Sequence, residues 1–197
     1  MPYKLLMGDE PVVRLARIVG EGNNVLAYES EQGTAIKVAK RPVHARKNLL
    51  LAWAERVVRE AGIDVAPVVA VGPGGLYVEQ EYVPGESLEQ TYGASYGSGN
   101  GATVPESLLV QILEHLERGR ALIRSRGIYL DLKAANYQVR ASGQIVLVDY
   151  TPRVNDTHYR YFTHDPEEGQ ARGRDLTDGE FLDLFFRHDL RKKCAGK

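Results

Sequence analysis

The sequence has little of several residue types, and each shortage excludes a class of protein. Among 197 residues there is one cysteine, Cys194, which excludes a disulfide bond within the chain and a cysteine-rich zinc site. Neither sign of charge dominates, because 25 basic and 26 acidic residues give a net charge of −1. We therefore expect no binding to nucleic acid or to the bulk membrane surface.

Long apolar runs are also missing. No run approaches the roughly 18–20 residues that cross a bilayer, and the first twenty residues lack the pattern of a cleavable signal peptide. What the chain does have is a hydrophobic content of 43 %, enough for a folded core. We expect a soluble protein that folds in a reducing compartment.

The first eighty residues alternate apolar strands with turns, and one helix interrupts them. Strand-like segments cover residues 12–19, 25–28, 34–39, 65–71 and 76–82. The helix is predicted over residues 44–61, with its buried stripe at helical spacing. That stripe comprises Leu50, Trp53, Ala54, Val57 and Val58.

The second half of the chain is predicted to be mostly helical. Residues 83–88 are predicted to connect the sheet to this helical half. A helix is predicted over residues 105–126 and is expected to pack behind a functional loop; its apolar face comprises Leu108, Ile112, Leu116 and Leu122. A terminal helix is predicted from 177 to about 193. Residues 93–101 and 151–174 are interpreted as loops, the second being either a connector or a substrate-contacting loop.

Residues 128–151 carry the side chains that a phosphoryl-transfer site needs. Asp131 and Asn136 stand five apart on a short loop, and a hairpin of strands 137–139 and 145–148 then leads to Asp149. A carboxylate at the acceptor hydroxyl, together with an amide oxygen and a carboxylate for Mg²⁺, is what transfer from a nucleotide requires.

Two features of the first half are ambiguous by themselves. Lys37 lies in an apolar strand, where it is either an exposed lysine or a ligand of phosphates. Gly20-x-Gly22 is either an ordinary hairpin turn or a loop whose backbone N–H groups approach phosphate oxygens.

The order and spacing of the motifs resemble the protein-kinase fold over residues 14–152. The series is Gly20-x-Gly22, Ala35-Ile36-Lys37, Glu55, Glu81-Tyr82-Val83-Pro84-Gly85, Asp131-Leu132-Lys133-x-x-Asn136 and Asp149. The resemblance implies an α+β, two-lobed fold in a single minimal kinase domain, residues 1–197. Its N-lobe, about 1–83, is an antiparallel β-sheet with one helix, and its truncated C-lobe, about 84–197, is mostly helical.

The resemblance also implies roles for individual residues, with ATP and Mg²⁺ as cofactors. In the N-lobe, Lys37 orients the α- and β-phosphates and pairs with Glu55, although Glu60 is an alternative partner. Adenine receives backbone hydrogen bonds from Glu81 and Val83, with Gln80 at the back of the pocket.

The C-lobe residues are expected to carry the chemistry. Asp131 accepts or orients the proton of the acceptor hydroxyl, and Lys133 neutralises the γ-phosphate. Asn136 and Asp149 bind Mg²⁺. Gly20 and Gly22 belong to the phosphate loop of the N-lobe.

Several positions depart from the kinase pattern. Val25 takes the place of the third glycine, and Asp149-Tyr150-Thr151 replaces Asp-Phe-Gly. Tyr129-Leu130 replaces His-Arg before the catalytic acid, so we expect no activation through phosphorylation of a loop. The 48 residues after Asp149 are too few for a full helical lobe.

A kinase this short, with these variants, resembles the HopBF family of effectors that bacteria inject through type III secretion. That resemblance implies a serine/threonine kinase that acts in the host cytoplasm. It further implies that the kinase phosphorylates and inactivates the eukaryotic ninety-kilodalton heat-shock chaperone. We expect a monomer.

Two other functions remain open at this point. A small-molecule phosphotransferase of the aminoglycoside or choline kinase type shares the Asp and Asn pattern, but such enzymes usually have a large helical substrate domain. A pseudokinase would use the fold as a binding scaffold, although it has no chemical need for Lys37, Asp131, Asn136 and Asp149 together.

Overall fold

The computed structural model describes residues 3–5, 13–22, 24–93, 103–152, 177, 179, 182, 185 and 186. Residues 94–102 and 153–176 are outside this set, so the predicted loops 93–101 and 151–174 lie almost wholly outside the described residues. The same holds for most of the predicted terminal helix 177–193.

The chain divides into two compact units. The first comprises Met1–Val57 and Ala66–Val83, and the second comprises Val58–Val65 and Pro84–Lys197. The boundary between the units falls within helix α1. Its last residues, together with the segment that follows it up to Val65, belong to the second unit. The assignment of 1–197 as a single domain stays a prediction.

The first unit is built on a six-stranded antiparallel sheet in the order β1-β2-β3-β4-β6-β5. Its strands are β1 (Tyr3–Leu5), β2 (Val13–Glu21), β3 (Val25–Ser30), β4 (Thr34–Ala39), β5 (Val68–Val71) and β6 (Tyr77–Glu81). The predicted strands are therefore present, with ends shifted by a few residues. β1, which the sequence did not predict, extends one edge of the sheet.

Helix α1 (Ala45–Glu60) is present as predicted, and its predicted buried stripe is confirmed at Ala54 and Val58 but wrong at Trp53. Trp53 is 56 % exposed, and the most buried positions include Asn48, Leu51, Ala54 and Val58. The spacing of apolar residues fits two adjacent faces of this helix. The face that packs is the one on which Asn48 finds backbone partners.

The second unit contains α2 (Glu106–Arg126) and a hairpin of β7 (Tyr137–Val139) and β8 (Ile145–Leu147). A π-helical turn, Glu89–Gly93, precedes them. The predicted apolar face of α2 is confirmed, since Leu108, Ile112, Leu116 and Leu122 are all buried. Gly127 ends the helix with a φ of 62°, a left-handed conformation that glycine adopts without strain.

The core of the second unit centres on β8 and a group of aromatic rings. All three residues of β8 are 0 % exposed. The Tyr137 ring lies 5.4 Å from the ring of Phe185 and 5.7 Å from that of His115. Phe185 and Phe186 pack edge to face at 4.9 Å. Such contacts bury large apolar areas with a defined geometry.

No helix in the described part of the chain is both long enough and apolar enough to span a bilayer.

We predict that His115 makes this core sensitive to acid. Burial, with a smaller contribution from Arg118, lowers the pKa of His115 to about 4. The unfolded chain, with a histidine pKa near 6.5, then binds more protons than the folded chain between the two values. Stability therefore falls as the pH drops from about 6.5 to 4, by up to about 3 kcal/mol from this group.

The measurement is the free energy of unfolding of the wild type and of His115→Gln at several pH values from 4 to 8. Glutamine does not titrate, so the variant should lose less stability across the window. The difference between the two proteins should be constant above pH 7. Parallel curves throughout would contradict the assignment to His115.

Candidate functional site

The residues between α2 and the hairpin form a tight loop held by its own backbone. The Lys133 N–H and the Asn136 side-chain amide both donate to the Asp131 carbonyl, at 3.0 and 2.8 Å. The Asn136 N–H in turn donates to the Lys133 carbonyl at 2.9 Å. The five-residue spacing of Asp131 and Asn136 thus closes one compact turn.

Asp131 and Lys133 project from this turn close to one another. Lys133 Nζ lies 3.8 Å from Asp131 Oδ2, and the two side chains are 21 % and 16 % exposed. The two side chains therefore form an ion pair of opposite charges on the turn. Leu132 between them is buried, so backbone alternation leaves the two charged side chains partly accessible.

Asn136 is buried, and one end of its side-chain amide is already hydrogen-bonded. The Nδ2 group donates to the Asp131 carbonyl. The amide oxygen, which points the other way, is the atom of Asn136 suited to a metal ion. The Asn136 carbonyl also accepts from the Val148 N–H at 2.8 Å, which ties the loop to the residue before Asp149.

Asp149 lies two residues after the end of β8 and is exposed. Its Oδ1 accepts from the Thr151 hydroxyl at 3.2 Å, which holds the carboxylate in one orientation. The structure therefore brings Asp131, Lys133, Asn136 and Asp149 into one neighbourhood of the second unit, through the loop and the strand that follows it.

Helix α2 supports the loop by an unusually close approach at Gly119. A Cβ atom placed on Gly119 would lie 2.6 Å from Leu132 Cδ1, which is closer than real Cβ contacts. The glycine thus lets Leu132 sit against the helix. This contact agrees with the expectation that the helix backs the loop.

Two residues that the sequence analysis missed, Asp64 and Arg140, fix the hairpin from the other side. Arg140 Nη1 lies 2.5 Å from Asp64 Oδ2, and the Leu147 N–H donates to the Asp64 carbonyl at 3.0 Å. The Asp64 N–H donates to His115 Nε2 at 3.4 Å. No sequence signal links positions 76 residues apart, so this contact could not be found from spacing.

In the first unit, the strand register places two predicted residues on one face of the sheet. Ala35 is opposite Gln80 and Lys37 is opposite Val78, so Lys37 and Gln80 share a face. Gln80 is buried and Lys37 is half-buried. This is the side-chain alternation predicted for β4.

Asn48 is a further residue that the sequence analysis missed. It is 2 % exposed, and its Nδ2 donates to the carbonyls of Lys37 and Gly75 at 3.2 and 2.9 Å. One amide therefore ties α1 to β4 at Lys37 and to the turn that leads into β6. A buried asparagine with two carbonyl partners fixes the helix against the sheet.

Glu55 and Glu60, the two candidate partners of Lys37, have different contacts. Glu55 Oε2 accepts from the Val68 N–H at 3.2 Å, which joins α1 to β5. Glu60 Oε2 lies 3.6 Å from Arg126 Nη2, at the far end of the helix and within the second unit. Pairing of Glu55 with Lys37 stays a prediction.

Some backbone groups of the glycine turn and of the end of β6 already form hydrogen bonds within the protein. The Gly22 N–H donates to the Val25 carbonyl at 3.0 Å, and a Cβ would fit at both Gly20 and Gly22. The Glu81 N–H donates to the Pro67 carbonyl at 2.9 Å, and Val83 is buried. Phosphate binding at the turn and adenine binding at Glu81 and Val83 stay predictions.

Among the described residues there is no group of three or more His, Cys, Asp or Glu side chains placed to hold a metal ion. Binding of Mg²⁺ by Asn136 and Asp149 stays a prediction.

The two units together have the α+β architecture of the protein-kinase fold, with an antiparallel β-sheet N-lobe and a truncated C-lobe. A solved structure with this fold is a variant of the kinase domain of Mycobacterium tuberculosis PknI. It matches with a TM-score of 0.50 and 19 % identity, over 89 % of this chain and 72 % of that chain. At this identity the likeness shows the fold alone. No protein-family model and no curated protein matches the sequence.

We predict that the Asp64–Arg140 pair holds the hairpin. Both side chains are 26 % exposed, so Arg140→Gln should cost about 1 kcal/mol of stability. The Leu147 amide should lose protection against hydrogen exchange by more than the amides of α2 do. Exchange measured by NMR checks this.

Arg124→Gln, at an exposed position of α2, is the matched control and should leave the Leu147 amide unchanged. The double reversal Asp64→Arg with Arg140→Asp should restore part of the protection. Unchanged Leu147 exchange in Arg140→Gln would show that the backbone bonds suffice.

Proposed function

We propose that this protein is an ATP- and Mg²⁺-dependent kinase that phosphorylates serine or threonine in a protein. The observation that carries the proposal is the loop of Asp131, Lys133 and Asn136 at the base of a hairpin that delivers Asp149. The kinase-like fold supports it, because these residues occur in the order that the fold uses for phosphoryl transfer.

Asp131 is the group proposed to act on the acceptor. Its carboxylate would accept the hydroxyl proton as the acceptor oxygen forms a bond to the γ-phosphorus of ATP. The bond from that phosphorus to the β,γ-bridging oxygen would break, so the acceptor becomes a phosphate ester and ADP leaves. Lys133, 3.8 Å away, offers a positive charge to the transferred phosphoryl group.

Asn136 and Asp149 fit Mg²⁺ in chemical type. A carboxamide oxygen and a carboxylate are hard oxygen ligands, and Mg²⁺ usually takes one or two such protein groups beside water and phosphate oxygens. The bond from Asn136 Nδ2 to the Asp131 carbonyl sets which end of the amide faces the ion. ATP would supply the phosphoryl group, and Mg²⁺ held by these residues would neutralise charge on the ADP leaving group.

The first unit is proposed to hold the nucleotide. Lys37 contacts the phosphates, and Glu55 orients it. The adenine edge would meet the Glu81 carbonyl and the Val83 N–H, with Gln80 behind. Support comes from the shared sheet face of Lys37 and Gln80. Asn48 adds support because it anchors α1 to the backbone at Lys37.

The narrower proposal is that the chain is a type III secreted effector of the HopBF kind. In that role it enters the host cytoplasm as a monomer and inactivates the ninety-kilodalton heat-shock chaperone by phosphorylation. Support for this is the resemblance of the short motif series, including Tyr129-Leu130 before Asp131 and Tyr150-Thr151 after Asp149.

The first prediction from the proposed function is that the protein transfers labelled γ-phosphate from Mg-ATP. Asp131→Asn keeps the shape of the side chain but removes the base, so the rate should fall by about 10²–10⁴-fold. Asp149→Ala should abolish transfer by removing a metal ligand. Glu106→Ala, at an exposed acid in the first turn of α2, is the control and should not change the rate.

Acceptors are tested in separate reactions with host-cell lysate, the purified chaperone, and a panel of aminoglycosides and choline. A labelled chaperone supports the narrower proposal, and another labelled protein supports only the kinase. Label on a small molecule would favour the phosphotransferase alternative. Nucleotide binding without any transfer would favour the scaffold alternative.

The second prediction separates the two glutamates. Glu55→Gln removes the charge but retains an oxygen for the Val68 N–H, so the fold should persist while Mg-ATP turnover falls about tenfold or more. Glu60→Gln affects the contact with Arg126 and should leave turnover unchanged. If Glu55→Gln turns over Mg-ATP as fast as Glu60→Gln does, Glu55 is not part of the nucleotide site.

A further inference from the structure

The outward side of α1 combines exposed apolar and basic residues. Leu49 and Trp53 are 45 % and 56 % exposed, although both are large apolar side chains. Arg46, Leu49, Trp53 and Arg56 follow one another at spacings of three and four residues, so they lie along one side of the helix. We call these four residues the outer face of α1.

Apolar residues from neighbouring segments extend this surface. Val43, in the turn before α1, is 75 % exposed, and Leu76 is 38 % exposed. Gly75, next to Leu76, approaches α1 closely: a Cβ there would lie 2.7 Å from Leu49 Cγ. An exposed apolar surface of several adjacent residues is typical of an interaction site, whereas scattered single residues are not.

The charge of this region has one sign over a long stretch. Residues 40–54 contain five basic or histidine side chains and no acid. They are Lys40, Arg41, His44, Arg46 and Lys47. Lys40 pairs with Glu21 at 2.5 Å, so the positive charge of this region rests on Arg41, Arg46 and Lys47. The chain as a whole has a net charge of −1, so this positive charge is a local feature.

The position of these charges opposes the stability of the helix. The N-terminus of a helix carries partial positive charge, so a basic residue there is unfavourable. Arg46 and Lys47 are exposed in the first turn of α1, which has no acidic residue. Helix α2 follows the opposite, favourable pattern, with Glu106 in its first turn and Arg124 and Arg126 in its last. Basic residues at the start of α1 are therefore not explained by helix stability.

We propose that the outer face of α1 is a docking surface for an acidic, amphipathic segment of another protein. Acidic side chains of the partner meet Arg46, Lys47 and Arg41, and its apolar side chains cover Leu49 and Trp53. Tryptophan and arginine are the residue types that most often dominate protein interfaces. Complementary charge around an apolar centre sets the orientation and speeds association.

The buried side of α1 makes this surface rigid. Asn48 bonds to the sheet at Lys37 and to the turn at Gly75, while Ala54 and Val58 are almost fully buried. A partner therefore meets a preformed helix face, and binding does not have to order it. The proposal goes beyond the kinase function, since it does not depend on phosphoryl transfer.

The test uses the full chain and a fluorescently labelled helical peptide of about twenty residues. The peptide has leucine and phenylalanine at positions i, i+3, i+4 and i+7, with glutamate on both flanks. A scrambled peptide of equal composition is the control for charge alone. Because Trp53 is the only tryptophan, its emission reports directly on the outer face.

The amphipathic peptide should bind saturably, shift the Trp53 emission to shorter wavelength and bind more weakly as salt is raised. By anisotropy of the labelled peptide, Trp53→Ala should weaken binding about tenfold. Arg46→Glu with Lys47→Glu should weaken it by at least as much. Val69→Ser and Arg124→Glu, at exposed positions on β5 and α2, are matched controls that should bind as the wild type does.

Circular dichroism confirms that each variant is folded. Equal binding of the scrambled peptide, or binding that the outer-face variants do not change, would overturn the proposal. A larger shift of Trp53 emission with phosphatidylserine vesicles, or with a duplex DNA, than with the peptide would also overturn it. In that case the surface would be assigned to a lipid or nucleic-acid partner.

Discussion

The backbone of β8 and the residue after it holds the candidate catalytic residues in place. The Leu147 N–H bonds to the Asp64 carbonyl, and the next amide, that of Val148, bonds to the Asn136 carbonyl. Two consecutive amides therefore point to opposite neighbours, as strand geometry requires. One neighbour is the segment that follows α1, and the other is the loop that carries Asp131. Asp149 emerges directly after these two bonds, so its position depends on both of them.

The sequence was informative wherever a feature repeats at short range. Alternation of apolar residues predicted the strands, and helical spacing predicted α2 and its buried face. Asp131 and Asn136 were placed on a short loop, and the structure adds the bond from the Asn136 amide to the Asp131 carbonyl that closes it. These features arise from local backbone geometry, which a short stretch of sequence determines. The kinase-like fold followed from the order of several such features.

The spacing of residues in the sequence does not predict contacts between residues that are far apart in the chain. Asp64 and Arg140 are 76 positions apart, and their pairing is a result of tertiary packing. Trp53 was assigned to the core because α1 has more apolar residues than one face can bury, and spacing alone does not choose between faces. The choice is made by Asn48, a buried polar residue whose amide protons are accepted by the Lys37 carbonyl of the sheet and by the Gly75 carbonyl of the turn before β6. A polar residue thus sets the orientation of this helix.

The close contact of Gly119 with Leu132 has a consequence for how the sequence can vary. A side chain added at 119 enters space that Leu132 already fills, and Leu132 lies between Asp131 and Lys133. In natural variants of this chain the two positions should therefore change together, with a larger residue at 119 accompanied by a smaller one at 132. The volume shared by this pair, rather than the chemistry of either residue, is the quantity that selection would preserve.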